Sequence, residues 1–361
     1  MSARRKSTSN SMPKAADAKP RAAAPQTRIG ISGWRYEPWR GTFYPKGLAQ
    51  RRELEYASRQ LNSIEINGSF YSLQRPNNYR EWYEQTPEDF VFSVKGGRFI
   101  THMRKLKDVE TPLANFFASG LLCLKEKLGP ILWQFPPQMR FDAAKFETFF
   151  KLLPRDTEAV AELAKGHDER LKGRAWTKAD ANRPVRYAVE IRHESFETSE
   201  FVDLLRAHDV ALVLADTAGR WPFAEDITSD FVYARLHGAD ELYVSGYTDA
   251  GLDWWAARLK AWREGSEPPD AKCWGKKPAT KSKSKAKAKA KPKPRDVFVY
   301  FDNDVKVRAP VDAINLAARL GGHVPHAAAD VANVPPPQNV GEQPRTRWPG
   351  FRRATPAAPR K

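Results

Sequence analysis

Glu190, Arg192, His193 and Glu194 fall within five consecutive positions. The residues just before them, 185–191, form an apolar run of β-branched and aromatic side chains. Pro184 punctuates its start, so the run reads as a short buried strand. Ionisable groups crowded at the end of such a strand point to a site, because a core would have to pair every charge. Glu190 and His193 suit general acid–base work near neutral pH. Lys95, Arg192 and Arg235 suit an anionic group such as phosphate. Trp34 and Tyr71 are candidates for stacking on a base or a sugar. Each of these residues lies at or just after the end of an apolar run, as do Glu65, Asn67, His102, Gln134, Asp216, His237, Asp302 and Asn303. The residues expected to carry chemistry are Glu190, His193, Lys95 and Asp216. Those expected to bind substrate are Trp34, Glu65, Asn67, Tyr71, His102, Gln134, Arg192, Arg235, His237 and Asn303.

Eight apolar runs must position these groups: 28–32, 63–67, 90–95, 131–135, 185–191, 210–215, 231–236 and 297–301. Helical patterns separate most of them, at 51–61, 77–85, 112–127, 141–153, 200–208 and 252–263, and a last one follows at 312–320. The connection at 221–227 is the shortest, and 155–183 reads as a polar elaboration. Strands alternating with helices imply parallel β/α units, and eight of them in one domain imply an α/β fold of the TIM type, a (β/α)₈ barrel. In that fold the C-terminal strand ends form one rim that carries the site. The N-terminal ends look bland. An open doubly wound sheet is the alternative, but Gly30-Ile-Ser-Gly33 is not the glycine-rich phosphate turn it needs.

The net charge of +17 does not belong to the barrel. Residues 1–27, 272–295 and 324–361 carry +5, +11 and +4, which leaves −3 for the rest. The expected organisation is a disordered basic tail at 1–27 and a barrel over 28–323. A disordered Lys/Ala/Pro-rich insert at 265–295 interrupts the barrel, and a disordered Pro/Arg-rich tail follows at 324–361. Such tails suit non-specific nucleic-acid binding through counterion release. Cys123 and Cys273 form no C-x-x-C pair, which excludes a disulfide framework and a thiolate zinc motif. With no long apolar span and no secretory h-region, the expected location is cytoplasmic, with no membrane partner. There is no P-loop, nucleophile elbow or H-E-x-x-H. Neither a cofactor nor a metal is expected: no H-x-H or H-x-x-H pair supplies a local chelate, and the rim cations oppose a bound cation. The rim acids are expected to pair with neighbours instead: Glu190 with Arg192 or Arg235, and Asp216 with a nearby histidine.

An ordered set of motifs resembles the YecE-like proteins, the family called domain of unknown function 72. It opens with Gly33-Trp34, Trp39, Gly41 and Phe43-Tyr44-Pro45. Glu65-Ile-Asn67, Ser69-Phe70-Tyr71, Thr86-Pro87, Phe92-Ser-Val-Lys95 and Thr101-His102 follow. It continues through Leu128-Gly129-Pro130, Gln134-Phe-Pro136-Pro137, Glu190-Ile-Arg192-His193 and Arg235-Leu-His237-Gly238. It ends at Tyr300-Phe-Asp302-Asn303 ahead of Ala313. Phe196 stands where the family usually shows Trp, and the Lys-rich insert and tails depart from compact members. The resemblance implies the TIM-type barrel and no particular activity. The expected function is an enzyme acting at the rim on a phosphate-bearing substrate or nucleic acid. A non-catalytic nucleic-acid-binding protein using its basic tails is the alternative, and a glycoside hydrolase pairing Glu65 with Glu190 is a further one.

Overall fold

A computed structural model describes residues 24–275 and 293–321. Most of the expected tails and the lysine run of the insert lie outside these residues. The strands are β1 (Thr27–Ser32), β2 (Ser63–Ile66), β3 (Val91–Lys95), β4 (Leu128–Gln134), β5 (Tyr187–Glu190), β6 (Val210–Asp216), β7 (Phe231–Leu236) and β8 (Asp296–Phe301). All pair in parallel, in chain order, and β8 closes on β1 with Ile31 beside Phe301, forming a closed eight-stranded barrel. The helices are α1 (Glu53–Gln60), α2 (Gly68–Tyr71), α3 (Pro76–Gln85), α4 (Glu110–Ala118), α5 (Ala143–Leu152), α6 (Thr157–Ala164), α7 (Ser199–Ala207), α8 (Asp249–Arg263) and α9 (Arg308–Arg319). Side-chain caps start four of them. Asp142, Asp156, Thr198 and Thr248 each accept from a backbone N–H three residues on, satisfying a donor the first turn leaves free.

Three expected boundaries move. The helix read over 112–127 ends at Ala118, because the chain turns through Gly120 at φ +120° and continues as a 3₁₀ turn, Leu121–Lys127. The elaboration at 155–183 contains α6, and Trp176 N–H donates to Ala118 O at 2.8 Å. The stretch 266–275, expected within a disordered insert, is bonded to the barrel wall. Glu225 N–H donates to Lys272 O at 2.6 Å, and Trp274 N–H to Asp226 Oδ2 at 2.7 Å. The short connection between β6 and β7 carries no helix.

Alternation sorts each strand. Ile31, Ile64, Phe92, Val94, Trp133, Val189, Leu214 and Val299 face the helices and form the main core. Leu132, Ala188, Ala211, Val213, Ala215, Phe231, Tyr233, Phe298 and Tyr300 fill the barrel. Polar groups occupy both ends of that interior. At the N-terminal end, expected to be bland, Arg186 pairs with Asp296 at 2.8 Å and lies over the rings of Phe231 and Phe298.

Gly30 sits where the β1 backbone passes closest to β2. A Cβ there would lie 1.8 Å from the Ser63 carbonyl oxygen. Gly30→Ala must therefore push two paired strands apart, and is expected to destabilise the barrel by about 3 kcal/mol. Urea midpoints of the two proteins measure this; an unchanged midpoint contradicts the packing described.

Candidate functional site

The inward positions at the C-terminal end are Ser32 on β1, Glu65 on β2, Lys95 on β3, Gln134 on β4, Glu190 on β5 and Arg235 on β7. His237 and Asp302 follow β7 and β8 at the same parity. Arg235 is their centre. Its side chain is fully buried, with Nη2 2.9 Å from Glu65 Oε1 and 2.8 Å from Asp302 Oδ2, and Nη1 2.6 Å from Glu190 Oε2. Its Nε donates to Glu65 Oε2 at 3.1 Å. Burial alone would lower its pKa, but Glu65, Asp302 and Glu190 overcome that and hold it well above the ordinary value.

The acids are pinned in turn. Glu65 accepts from Ser32 Oγ at 3.0 Å and from Tyr233 Oη at 2.6 Å. Glu190 Oε1 accepts from Gln134 Nε2 at 2.8 Å and Arg192 Nε at 2.9 Å. Burial would raise the Glu190 pKa; Arg192 and Arg235 outweigh it and hold the carboxyl well below the ordinary range. Glu190 is therefore a fixed anion that orients two arginines and has no proton to move near neutral pH. The same fact disfavours the paired-carboxylate reading, since that mechanism needs one protonated acid and Arg235 already holds both Glu65 and Glu190. Arg192 lies 3.8 Å above the Trp221 ring and donates to Tyr243 Oη at 3.2 Å.

Lys95 differs from the other rim cations. It is 8% exposed, and no hydrogen bond or ion pair reaches its Nζ among the described residues; its neighbour is the Phe70 ring, 4.5 Å away. Burial, aided by Arg235, lowers its pKa to about 8. His102 stands edge-on to the same Phe70 ring at 5.0 Å, with Nδ1 2.8 Å from Thr101 Oγ1. Burial, then Lys95 and Arg192, drive its pKa down to about 4, with Arg98 adding to the effect. His237 is fully buried. Burial and Arg235 lower its pKa too, so it faces Asp302 as a neutral ring. Its Nδ1 lies 3.1 Å from Asp302 Oδ2 but is out of line for a hydrogen bond.

Other expected residues lie elsewhere. Asp216 points outward from β6, because Ala215 takes the inward position. It accepts from Tyr247 Oη at 2.9 Å, so its partner is a tyrosine and not the expected histidine. Asn303 also points outward, donating to Asp312 Oδ2 at 2.8 Å and Ser245 O at 3.0 Å. His193 caps a short turn, Glu194–Phe196, with Nδ1 accepting from Ser195 N–H at 3.0 Å. Trp34 is buried edge-on against Trp82 at 5.2 Å, a packing role. Asn67 precedes α2, with a buried Oδ1 that has no protein partner among the described residues. Tyr71 is 65% exposed on the lip, with Arg98 5.6 Å from its ring. Asp302 and Ser32 stand at strand ends in the sequence but fall outside the expected binding set, and Tyr233, Phe70, Arg98, Trp221 and Tyr243 are not anticipated there. The first three share the inward parity of their strands, a usable signal; the others, from α2 and the loops, offer none.

Burial raises the Asp216 carboxyl from 3.8 to about 7. An acid raised by folding favours the folded state at low pH. Its contribution is full below pH 3.8 and is lost as pH climbs to about 7. Asp216→Asn is expected to remove that loss, flattening stability against pH by up to about 1.4 kcal/mol per pH unit across this window. Urea midpoints at several pH values compare the slopes; identical slopes contradict a protonated Asp216.

Among the described residues no three His, Cys, Asp or Glu side chains group to hold a metal ion. None of the described helices is long and apolar enough to cross a membrane. A surface hollow lined by Thr27, Asn62, Arg263 and Leu320 lies at the opposite end of the barrel from Lys95.

The family model described as "Protein of unknown function DUF72" matches residues 28–339. The chain is 30% identical over 122 residues to the UPF0759 protein YunF of Bacillus subtilis, covering 32% of this chain and 42% of that one. It is 26% identical over 164 residues to the UPF0759 protein YecE of Escherichia coli K12, covering 44% of this chain and 57% of that one. The matched segments thus span about half the length of these curated relatives. A DUF72 family protein of Thermotoga maritima superposes with a TM-score of 0.60 at 21% identity, covering 82% of this chain and 99% of its own. One from Enterococcus faecalis gives 0.57 at 16% identity, covering 82% and 96%. At these identities the superpositions speak for the fold alone, a closed parallel barrel. The family match reaches from β1 past α9, so the chain belongs to the DUF72 family.

Proposed function

We propose that the protein is an enzyme whose site is the C-terminal rim around Lys95 and His102, acting on a phosphate-bearing substrate. One observation carries this reading. Three cations, Lys95, Arg192 and Arg98, converge electrostatically on the neutral His102 ring, and among the described residues only Arg192 of the three has a carboxylate partner. An anion seated there would supply the missing counter-charge to Lys95 and Arg98. Arg235 is not available for that role, because three carboxylates surround it. Glu190 serves this site as a positioning residue, and His102, which shares the Phe70 ring with Lys95, takes the role expected of His193.

The test is a screen of purified protein against phosphomonoesters, phosphodiesters and nucleic acid, with and without divalent metals. Any turnover found is expected to fall about a hundredfold or more in Lys95→Met, the usual scale for losing one aimed charge. Turnover unchanged in Lys95→Met, or binding that follows the basic tails, contradicts this reading. The second result supports the nucleic-acid-binding alternative, whose contacts fall on residues outside those described.

A further inference from the structure

Among the described residues two lysines are buried, and they are treated differently. Lys127 spends its ammonium donors on Tyr83 O at 2.6 Å, Thr86 O at 2.8 Å and Thr86 Oγ1 at 3.2 Å. An ammonium has three donors and no acceptor, so Lys127 is fully satisfied. Lys95, slightly more exposed at 8% against 3%, meets only the face of Phe70. Among the described residues Lys95 Nζ has no protein acceptor, yet it is not one of the sealed polar atoms, so its donors stay open to the rim and to whatever enters it. The unpaired nitrogen lies at the end of a barrel strand, with the Phe70 ring as a wall shared with His102.

We propose that Lys95 is a nucleophile whose Nζ condenses with the carbonyl carbon of a substrate that also bears a phosphate or carboxylate, forming a protonated imine. This rests on the anion-binding reading above and adds the class of reacting group. The nitrogen lone pair forms the C–N bond as the carbonyl π electrons move to oxygen. The carbinolamine then loses that oxygen as water. Overall, an ammonium and a carbonyl give an iminium and water: two ammonium protons leave in the water, and the single positive charge stays on nitrogen. No oxidant, reductant or metal is required.

Three features support it. Desolvation and a neighbouring guanidinium are the two ways a lysine is made nucleophilic near neutral pH, and Lys95 has both. His102 is neutral and its Nδ1 is hydrogen-bonded with Thr101 Oγ1; in the tautomer where Nδ1–H donates, Nε2 can carry a proton from nitrogen to the departing oxygen. The iminium keeps a cation where Glu65, Asp302 and Glu190 already stabilise the ammonium. The substrate's anionic group then falls to Arg98 and Arg192.

The experiment incubates the full chain with dihydroxyacetone phosphate, pyruvate or acetone, each with sodium borohydride, and locates the reduced adduct by peptide mass mapping. One adduct per chain is expected at Lys95, forming roughly tenfold or more faster than at any tail lysine because more of its amine is free. Lys127, bonded to three acceptors, should stay unlabelled in the same digest. Lys95→Arg keeps the charge and should lose the site-specific adduct. His102→Gln should slow labelling while leaving its position unchanged. Labelling confined to the tails, with Lys95 unmodified, overturns the proposal. If acetone labels Lys95 as fast as the two anions, the nucleophile stands and the anion reading falls. If Lys95 resists all three while phosphate still shifts the His102 titration, the anion reading stands and the nucleophile falls.

Discussion

Arg235→Met is expected to lower folding stability by about 3–5 kcal/mol, the scale for breaking a buried ion pair from one side. The reason is the company Arg235 keeps. Glu65, Glu190 and Asp302 all place oxygens within 2.9 Å of its terminal nitrogens, inside a barrel from which water is largely excluded. Removing the guanidinium leaves three carboxylates facing one another, with Lys95 the remaining cation that all three act on and Arg192 paired with Glu190 alone. They must take up protons or admit water, and either route weakens the closure of β1, β2, β5, β7 and β8. Arg235→Lys keeps a charge but not the planar fork that serves three partners, so its loss should be intermediate. Urea denaturation of the three proteins reads this directly. An Arg235→Met protein as stable as the parent would mean that the acids are already neutral and that the charge network is not what holds the rim.

Glu190→Gln should have the next largest effect, with a pH signature opposite to that of Asp216. Folding holds the Glu190 carboxyl well below 4.5, so the carboxylate binds its proton more weakly in the folded state than in the unfolded chain. The stability this gives is fully present above pH 4.5 and is lost as pH falls toward the folded value. Gln keeps the shape and one acceptor but cannot neutralise Arg192 and Arg235. A loss of about 2–4 kcal/mol at pH 7 is expected, shrinking as the pH is taken down through 4. Denaturation at pH 7 and pH 4 tests both parts. A penalty of equal size at both values would assign the effect to packing and not to charge.

The barrel was legible because its signals are local. Apolar runs of strand length alternate with helical patterns, and the Asp and Thr caps of α5 to α8 mark their own boundaries. The rim was legible to the level of strand ends, but which residues face inward depends on counting alternate positions. On β8 the inward series Phe298, Tyr300 selects Asp302, whereas the expected binding residue, Asn303, faces outward. On β6 the series Ala211, Val213, Ala215 excludes Asp216, which carries its charge outward to Tyr247. Position after a strand did not separate Glu190, fixed by three donors, from Lys95, which has none. That difference depends on Gln134 and Arg235 arriving from other strands, with Arg192 folding back from two residues further along the same segment. The Phe70 wall comes from the four-residue α2 and the Arg98 cation from the segment after β3, both too short for any periodicity in the chain to encode.

His102 itself reports on whether the rim around Lys95 is a site for an anion. Its imidazole pKa, measured by NMR and assigned with His102→Gln, should be about 4 in phosphate-free buffer. Inorganic phosphate bound beside Lys95 and Arg98 would offset the cations that depress it, and saturation should raise it by roughly 1 unit or more. Phosphate held only by the basic tails would leave it unmoved. A His102 that titrates near 6.5 without phosphate, or does not shift when phosphate saturates the protein, contradicts the account.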